Sequence, residues 1–434
     1  MPPLIKRFCS KASSRAVTCL LLLASYGSAQ TYTVTDLGPT VDLSGRNDSG
    51  PTSMNSSGTI AGANVVHDVY HAMIYNGSWL DLFTLGGTGS LAGGINDAGL
   101  VVGYSRTVSG GTNAFLWTAG GTNGIPGNPQ MKALGTLGGT VSEAFAINNA
   151  GQITGYSDVA VPKGQQHAFV YSNGSLKDIG QTLTVAVNSY GYGINSSGHV
   201  AGTAYDASYS AAHAFFYDGT TTTDLGLLGG IACSPLALNN LDTMVGYISS
   251  SSSDHAFSYS KGTVTDLGTM GGHYSYAKAI NNNNAIVGGS FVDSMDRIYH
   301  AFVYASGTMT DLNTLLDQSG AGWTLVEARA INDAGQIAGV GTFGGSNHMF
   351  RLAPTATTTN VEPPRIESLV MSGPSVIVQF TTVQNQLYHL QGSQTLVPAS
   401  WTILQSNIVG TGGTVTVTNS VASPSQFYRV LASP

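Results

Sequence analysis

Charge is what this sequence has least of. Asp, Glu, Lys and Arg together make up 9% of its residues, and the basic side is the poorer, with 16 Lys and Arg against 23 Asp and Glu. Phosphate backbones and anionic membranes are held by clustered Lys and Arg, so neither nucleic acid nor an anionic membrane surface is expected as a partner. Cysteine is nearly absent too: Cys9, Cys19 and Cys233 are the only three, too few for a disulfide framework or a Cys-based metal site. Cys233 therefore reads as a small buried apolar residue.

Long hydrophobic runs are also missing. The one apolar stretch near the N-terminus, residues 16–24, falls far short of the roughly twenty residues a bilayer requires, and no membrane span is expected. It follows Lys6, Arg7, Lys11 and Arg15 and precedes the small residues Gly27 and Ala29. That is the layout of an export signal, expected over residues 1–29. Cys19 sits inside the run rather than at its end, which argues against a lipid anchor. The mature chain is expected to be soluble and secreted, in the periplasm or the medium. It keeps twelve of the 16 basic residues against 23 acidic ones, a net charge of −11.

What the chain does have is glycine, 56 residues of it, together with β-branched, aromatic and turn residues that disfavour helix. It also has repetition. An "HAF" element begins at His71, His167, His213, His255, His300 and His348, and at Asn113 as "NAF". An Asp-Leu-Gly-like element begins at Asp36, Asp81, Ala133, Asp178, Asp224, Asp266 and Asp311. An apolar residue precedes Asn55, Asn96, Asn148, Asn195, Asn239, Asn281 and Asn332. Each element occurs seven times.

Each unit of 42 to 54 residues holds four short runs joined by Asn, Gly and Asp turns, which is what a propeller blade needs. Runs such as residues 168–171 are apolar throughout, as in strands buried on both faces. The repeat region opens partway through a unit, with "YTVTDLG", and closes on the first strand of another, "HMFRL" at 348–352. Joined, the two fragments make one blade and remove the exposed edges of an open array. The expected fold is all-β: a seven-bladed β-propeller over residues 30–353, closed by pairing its N- and C-terminal repeat strands.

These repeats resemble the extracellular HAF-repeat proteins of bacteria over roughly residues 31–353. The resemblance implies secretion and a propeller-like fold, and no particular activity. Asn113, "LNNLD" at 238–242, "DIGQTL" and "DLNTLL" depart from the pattern. A Thr- and Pro-rich stretch, 354–364, reads as a linker. Residues 365–434 read as a small β-sandwich module for attachment or spacing, with carbohydrate binding as the next alternative.

A histidine recurring in six units is not a single catalytic base; it is expected to tie neighbouring strands by a hydrogen bond. The Asn and Asp turns lack the Asp ladder and closing Glu of a calcium loop, and neither metal nor cofactor is expected. Function is expected where the units differ. If strands alternate in direction, the tight Asn and Gly turns share one face and the longer, varied loops share the other, where binding residues collect.

The segment before each repeated Asn follows S-x-A-x-A-I-N, whose x positions project to one side. They read Gly50 and Thr52, Leu91 and Gly93, Glu143 and Phe145, Tyr190 and Tyr192, Pro235 and Ala237, Tyr276 and Lys278, Glu327 and Arg329. Nearby loops add Tyr205, Tyr209, His273, Tyr274, Arg297, Tyr299 and Trp323. Rings and hydroxyls together suit a sugar.

The leading reading is a monomeric, non-catalytic module that binds an extracellular glycan or protein. Its ligand-binding residues are Glu143, Tyr190, Tyr192, Tyr205, Tyr274, Arg297, Tyr299, Trp323 and Glu327. The alternative is a polysaccharide lyase acting on a uronate-containing polymer, with Tyr276 or His273 taking the proton while Lys278 or Arg329 neutralises the carboxylate. Glycoside hydrolysis would need two carboxylates, for which Glu143 and Glu327 are the candidates.

Overall fold

A computed structural model of the chain describes residues 30–40, 49–161, 164–183, 186–206, 211–355, 364–372, 375–382, 387–393, 401–420 and 427–432. The expected leader, most of the expected linker and Tyr209 lie outside these. Two compact units separate, one of them Tyr32–Pro354 and the other holding the residues from Thr355 onward.

The larger unit is a β-propeller. Apart from two short 3-10 turns, Leu312–Leu315 and Gln318–Gly320, its described elements are all strands, joined antiparallel in groups of four. Two groups, within residues 86–135 and 138–178, are linked at a single parallel pair, Val141 with Thr112, into one eight-stranded sheet. The last group comprises Trp323–Ile331, Ile337–Phe343 and Ser346–Pro354, completed by Tyr32–Pro39 from the other end of the unit. That strand pairs along its length, from Tyr32 with Pro354 to Pro39 with His348.

The repeated Asn explains why consecutive groups stay in register. Each Asn Nδ2 donates to the backbone carbonyl of the next one, from Asn55 to Asn96 and onward to Asn332, which donates back to Asn55, at 2.8–3.2 Å. Seven bonds close the circle. The Oδ1 atoms meanwhile accept hairpin amides, as Asn195 does from Ser197 and His199. The job needs a donor and an acceptor on one short side chain, and all seven are at most 6% exposed. Asn195→Ala removes three of these bonds from a buried site and is expected to cost about 2–3 kcal/mol, read as a lower urea midpoint at unchanged slope.

The repeated His pairs through Nδ1 with the Asp of the adjoining outer strand, at 2.7–3.0 Å: His71 with Asp81, His167 with Asp178, His213 with Asp224, His255 with Asp266 and His300 with Asp311. His348 makes the same contact with Asp36 across the closure, at 2.9 Å. The Asp carboxylate also takes the turn amide two residues on, as Gly180 on Asp178. In the second group His and Asp are replaced together, by Asn113 and Ala133, and their strands still pair.

Inside the sheets, Phe115, Phe169, Phe215, Phe257, Phe302 and Phe350 are each at most 1% exposed. Each lies across from a glycine of the second strand: Gly103, Gly155, Gly202, Gly246, Gly288 and Gly339. At Gly202 and Gly339 a Cβ would run into the facing ring itself, Phe215 or Phe350.

The C-terminal unit has two three-stranded sheets. One holds Ile366–Ser372, Ser375–Thr381 and Thr414–Ser420; the other holds Leu387–Ser393, Thr402–Val409 and Phe427–Ala432. Val376, Val378, Phe380, Tyr388, Leu390, Val417 and Tyr428 form a shared buried cluster, which makes the unit a small β-sandwich.

Candidate functional site

The strands that end in the Asn circle are the innermost of each group, and every one of them carries a β-bulge. The pairing slips by one residue between Pro51 and Ser53, Ala92 and Gly94, Ala144 and Ala146, Gly191 and Gly193, Pro235 and Ala237, Ala277 and Ala279, and Ala328 and Ala330. The extra residues are Thr52, Gly93, Phe145, Tyr192, Leu236, Lys278 and Arg329. A bulge re-aims the side chain it frees. Here it does so at the second x position of the repeat, three residues before the Asn; with the first x position five before it, the x residues form an axial band about 10–16 Å from the circle.

The fifth group corrects the sequence reading. Counted back from Asn239, its x positions are Ser234 and Leu236, whereas Pro235 and Ala237 hold the packed positions that Ala144 and Ala146 hold in the third. The offset arose because Cys233, not Ser234, fills the buried place of the template Ser. Cys233 packs with Ala214 and Phe257, and burial pushes its thiol up to about 12.

On one side the band is aromatic around a carboxylate. Phe145 stacks on Tyr192 at 5.2 Å and leans on Tyr156 at 5.8 Å; Tyr190 meets Tyr156 at 5.0 Å and Tyr205 at 5.7 Å. The Tyr190 hydroxyl donates to Gln166 at 2.7 Å. Glu143 sits opposite Tyr156 across the strand pair and accepts its hydroxyl proton in a hydrogen bond. Burial pushes the Glu143 carboxyl up, against the pull of Tyr156 and of Arg106. Burial first, then neighbouring negative charge, also raises the Tyr156 phenol; the Tyr192 phenol is raised chiefly by burial.

The other side is ionic. Glu327 binds Arg329 Nε at 2.6 Å and Lys278 Nζ at 3.3 Å, and Arg329 Nη1 donates to the Ser49 carbonyl at 2.9 Å. Burial pushes Glu327 up, but the Lys278 ammonium and Arg329 guanidinium outweigh it and hold the carboxyl below its usual range. Tyr276 donates to Asp254 at 2.9 Å and meets Tyr247 edge-on at 5.1 Å. Burial, then the Asp254 bond, raises the Tyr276 phenol.

The remaining sequence candidates are placed differently. Tyr274 touches Phe291, which leans on Tyr299, at 6.1 and 4.8 Å. His273 is tied through Nδ1 to Asp296 at 2.9 Å, and Arg297 to Asp293 at 3.0 Å, both more than half exposed on loops of the varied face. Trp323 stacks on Phe343 at 5.0 Å and meets His348, on the closing group. The sequence reading passed over Tyr104, Tyr156 and Tyr247. Each follows the glycine opposite the bulge, and the recurring "GY" pair was the visible clue.

This arrangement disfavours the lyase. Of its two supposed bases, Tyr276 has a raised pKa and already donates its proton to Asp254, whereas a base needs a pKa near the working pH, and His273 is tied to Asp296. Its supposed neutralising cations are spent on Glu327. Among the described residues no hydrogen bond or ring contact joins His273 to Tyr276 or Lys278, and no three metal-ligating side chains converge. No helix among them is long and apolar enough to cross a membrane.

Residues 176–369 match a family described as "Protein of unknown function (DUF3466)". No curated protein matches the sequence. Among solved structures, the chain is similar to the β-propeller domain of the Trilobed protease from Pyrococcus furiosus, at 11% identity and a TM-score of 0.41, covering 61% of this chain and 84% of that one. It is also similar to Pyrococcus horikoshii acylaminoacyl peptidase, at 10% and 0.39, covering 77% of this chain and 50% of that one. A putative TolB from Agrobacterium tumefaciens gives 10% and 0.38, covering 76% and 100%. The chain thus spans half the length of that peptidase. Likeness at this level adds nothing to what the sheet order and the Asn circle already define.

Proposed function

We propose that the chain is a secreted, non-catalytic binding protein built on a seven-bladed propeller, and that it takes an extracellular glycan at the axial band and the varied rim above it. The closed circle of seven Asn bonds supports the blade count. Residues 1–29 and the resemblance to HAF-repeat proteins support the secreted location. The observation that carries the binding reading is the band itself, where bulges in the innermost strands of the third, fourth, sixth and seventh groups turn out Phe145, Tyr192, Lys278 and Arg329. Ring faces and phenol hydroxyls side by side are what a sugar needs.

The test is a panel of neutral, acidic and basic oligosaccharides titrated against the purified protein, with Tyr190→Ala and Tyr192→Ala alongside. At least one class is expected to bind, and each variant to weaken it about tenfold or more. Ultraviolet-absorbing unsaturated product from a uronate polymer would mark the protein as an enzyme instead.

One further observation favours a second reading, a protein ligand. Of the nine large apolar side chains exposed among the described propeller residues, six, Phe83, Val108, Val161, Ile231, Met295 and Ile298, lie in loops of the varied face; Leu80 and Val264 are on outer strands and Leu241 is in a tight turn of the opposite face. Silence across the whole sugar panel would make this the better account.

A further inference from the structure

The axial band holds two carboxylates at the same place in the repeat, and they are treated in opposite ways. Glu143 and Glu327 each sit two residues before the bulge residue, in the third and seventh groups. Glu327 has Lys278 and Arg329 within 3.3 Å. Around Glu143, among the described residues, no Lys, Arg or His makes an ion pair. It has a hydrogen bond from the Tyr156 hydroxyl and the more distant charge of Arg106. Tyr156 is in turn in ring contact with Phe145 and Tyr190, Phe145 stacks on Tyr192, and the Tyr192 phenol is close enough to feel the Glu143 charge; none of these rings is fully buried.

A carboxylate partly removed from water, with no cation of its own, is one positive charge short. The ring faces beside it attract cations as well. The sequence as a whole is acidic, at −7, so a cationic ligand is drawn in rather than repelled.

We propose that the Glu143 side of the band binds the protonated amine of an unacetylated amino-sugar glycan, the ammonium seated against Glu143 and the sugar rings against the neighbouring tyrosines. This rests on the glycan reading above and narrows it. A sugar amine fits better than a lysine side chain because the phenol oxygens of Tyr156 and Tyr190, whose protons go to Glu143 and Gln166, can still accept from the ring hydroxyls a lysine lacks.

Isothermal titration tests it, with oligomers of glucosamine, N-acetylglucosamine and glucuronate, and with oligolysine, at a pH where the amines are protonated. The glucosamine oligomer is expected to bind, its N-acetylated counterpart at least tenfold more weakly, and Glu143→Gln to lose about tenfold or more of the affinity for glucosamine. The variant's unfolding temperature, expected at or above that of the parent, checks that the fold is kept. Equal binding of the acetylated oligomer, or full affinity in Glu143→Gln, overturns the proposal. Binding of the acetylated or uronate oligomers without the amine sugar overturns it while leaving the glycan reading in place. Binding of oligolysine alone, or of nothing, overturns both.

Discussion

Gly155→Ala is expected to destabilise the propeller by about 3 kcal/mol, and to weaken the glycan binding proposed above in whatever fraction stays folded. The added methyl would collide with the Glu143 backbone carbonyl and press on Ala144 Cα. Backbone cannot swing aside as a side-chain tip can. The same collision, with the carbonyl of the first x residue or of Ser234 or Gly50, awaits at Gly62, Gly103, Gly202, Gly246, Gly288 and Gly339. The seven glycines are thus the sockets into which the seven bulges fit. Gly151 is the control: its φ of +77° strains an alanine, but nothing lies within 4 Å of the new methyl. Gly151→Ala is expected to cost about 1–2 kcal/mol and to leave binding unchanged. Urea unfolding of the two variants separates collision from strain, and equal losses would remove the socket account.

Glu327→Ala should cost a comparable amount, about 3 kcal/mol at neutral pH, because it leaves Lys278 and Arg329 facing each other without the anion between them. The one-third exposure of Lys278, at 33%, keeps the figure at the lower end. The pH dependence gives a second readout. Since the folded carboxyl is held below its unfolded value of about 4.3, its contribution is fully present above that pH and is lost as pH falls through the folded value. The variant should therefore lack that part of the acid-side decline. Glu143 runs the other way: burial raises its folded pKa, so stability falls as pH climbs from about 4.3 through the folded value. Glu143→Gln should accordingly gain stability at neutral pH where Glu327→Gln loses it. Two substitutions alike in chemistry, at equivalent repeat positions, with opposite signs would establish that the two halves of the band are electrically distinct.

The repeats made the scaffold legible. His and Asp recur at fixed spacing because they bond across adjacent strands, and Asn recurs because each one bonds the next, so periodicity and contact are the same fact. The band was legible in part. Glu143, Tyr190, Tyr192, Tyr276, Lys278, Glu327 and Arg329 stand out against a small-residue template, yet which would meet was hidden, since Lys278 and Glu327 lie 49 positions apart in the sequence and become neighbours by ring geometry. Tyr104, Tyr156 and Tyr247 hid inside a repeated motif and so resembled scaffold. Pro235 was misassigned because a single substitution, Cys233 for Ser, displaced the visible landmark by one residue.

The shared closing sheet has a consequence for biosynthesis. The strand Tyr32–Pro39 is among the first parts of the propeller to leave the ribosome, and its partner Ser346–Pro354 is the last. Until then the nascent arc carries two raw ends, each a template for a neighbouring chain. A transcript cut short anywhere before codon 346 would deliver an object with no seal, fit for the protease or the aggregate, however well its early repeats had folded.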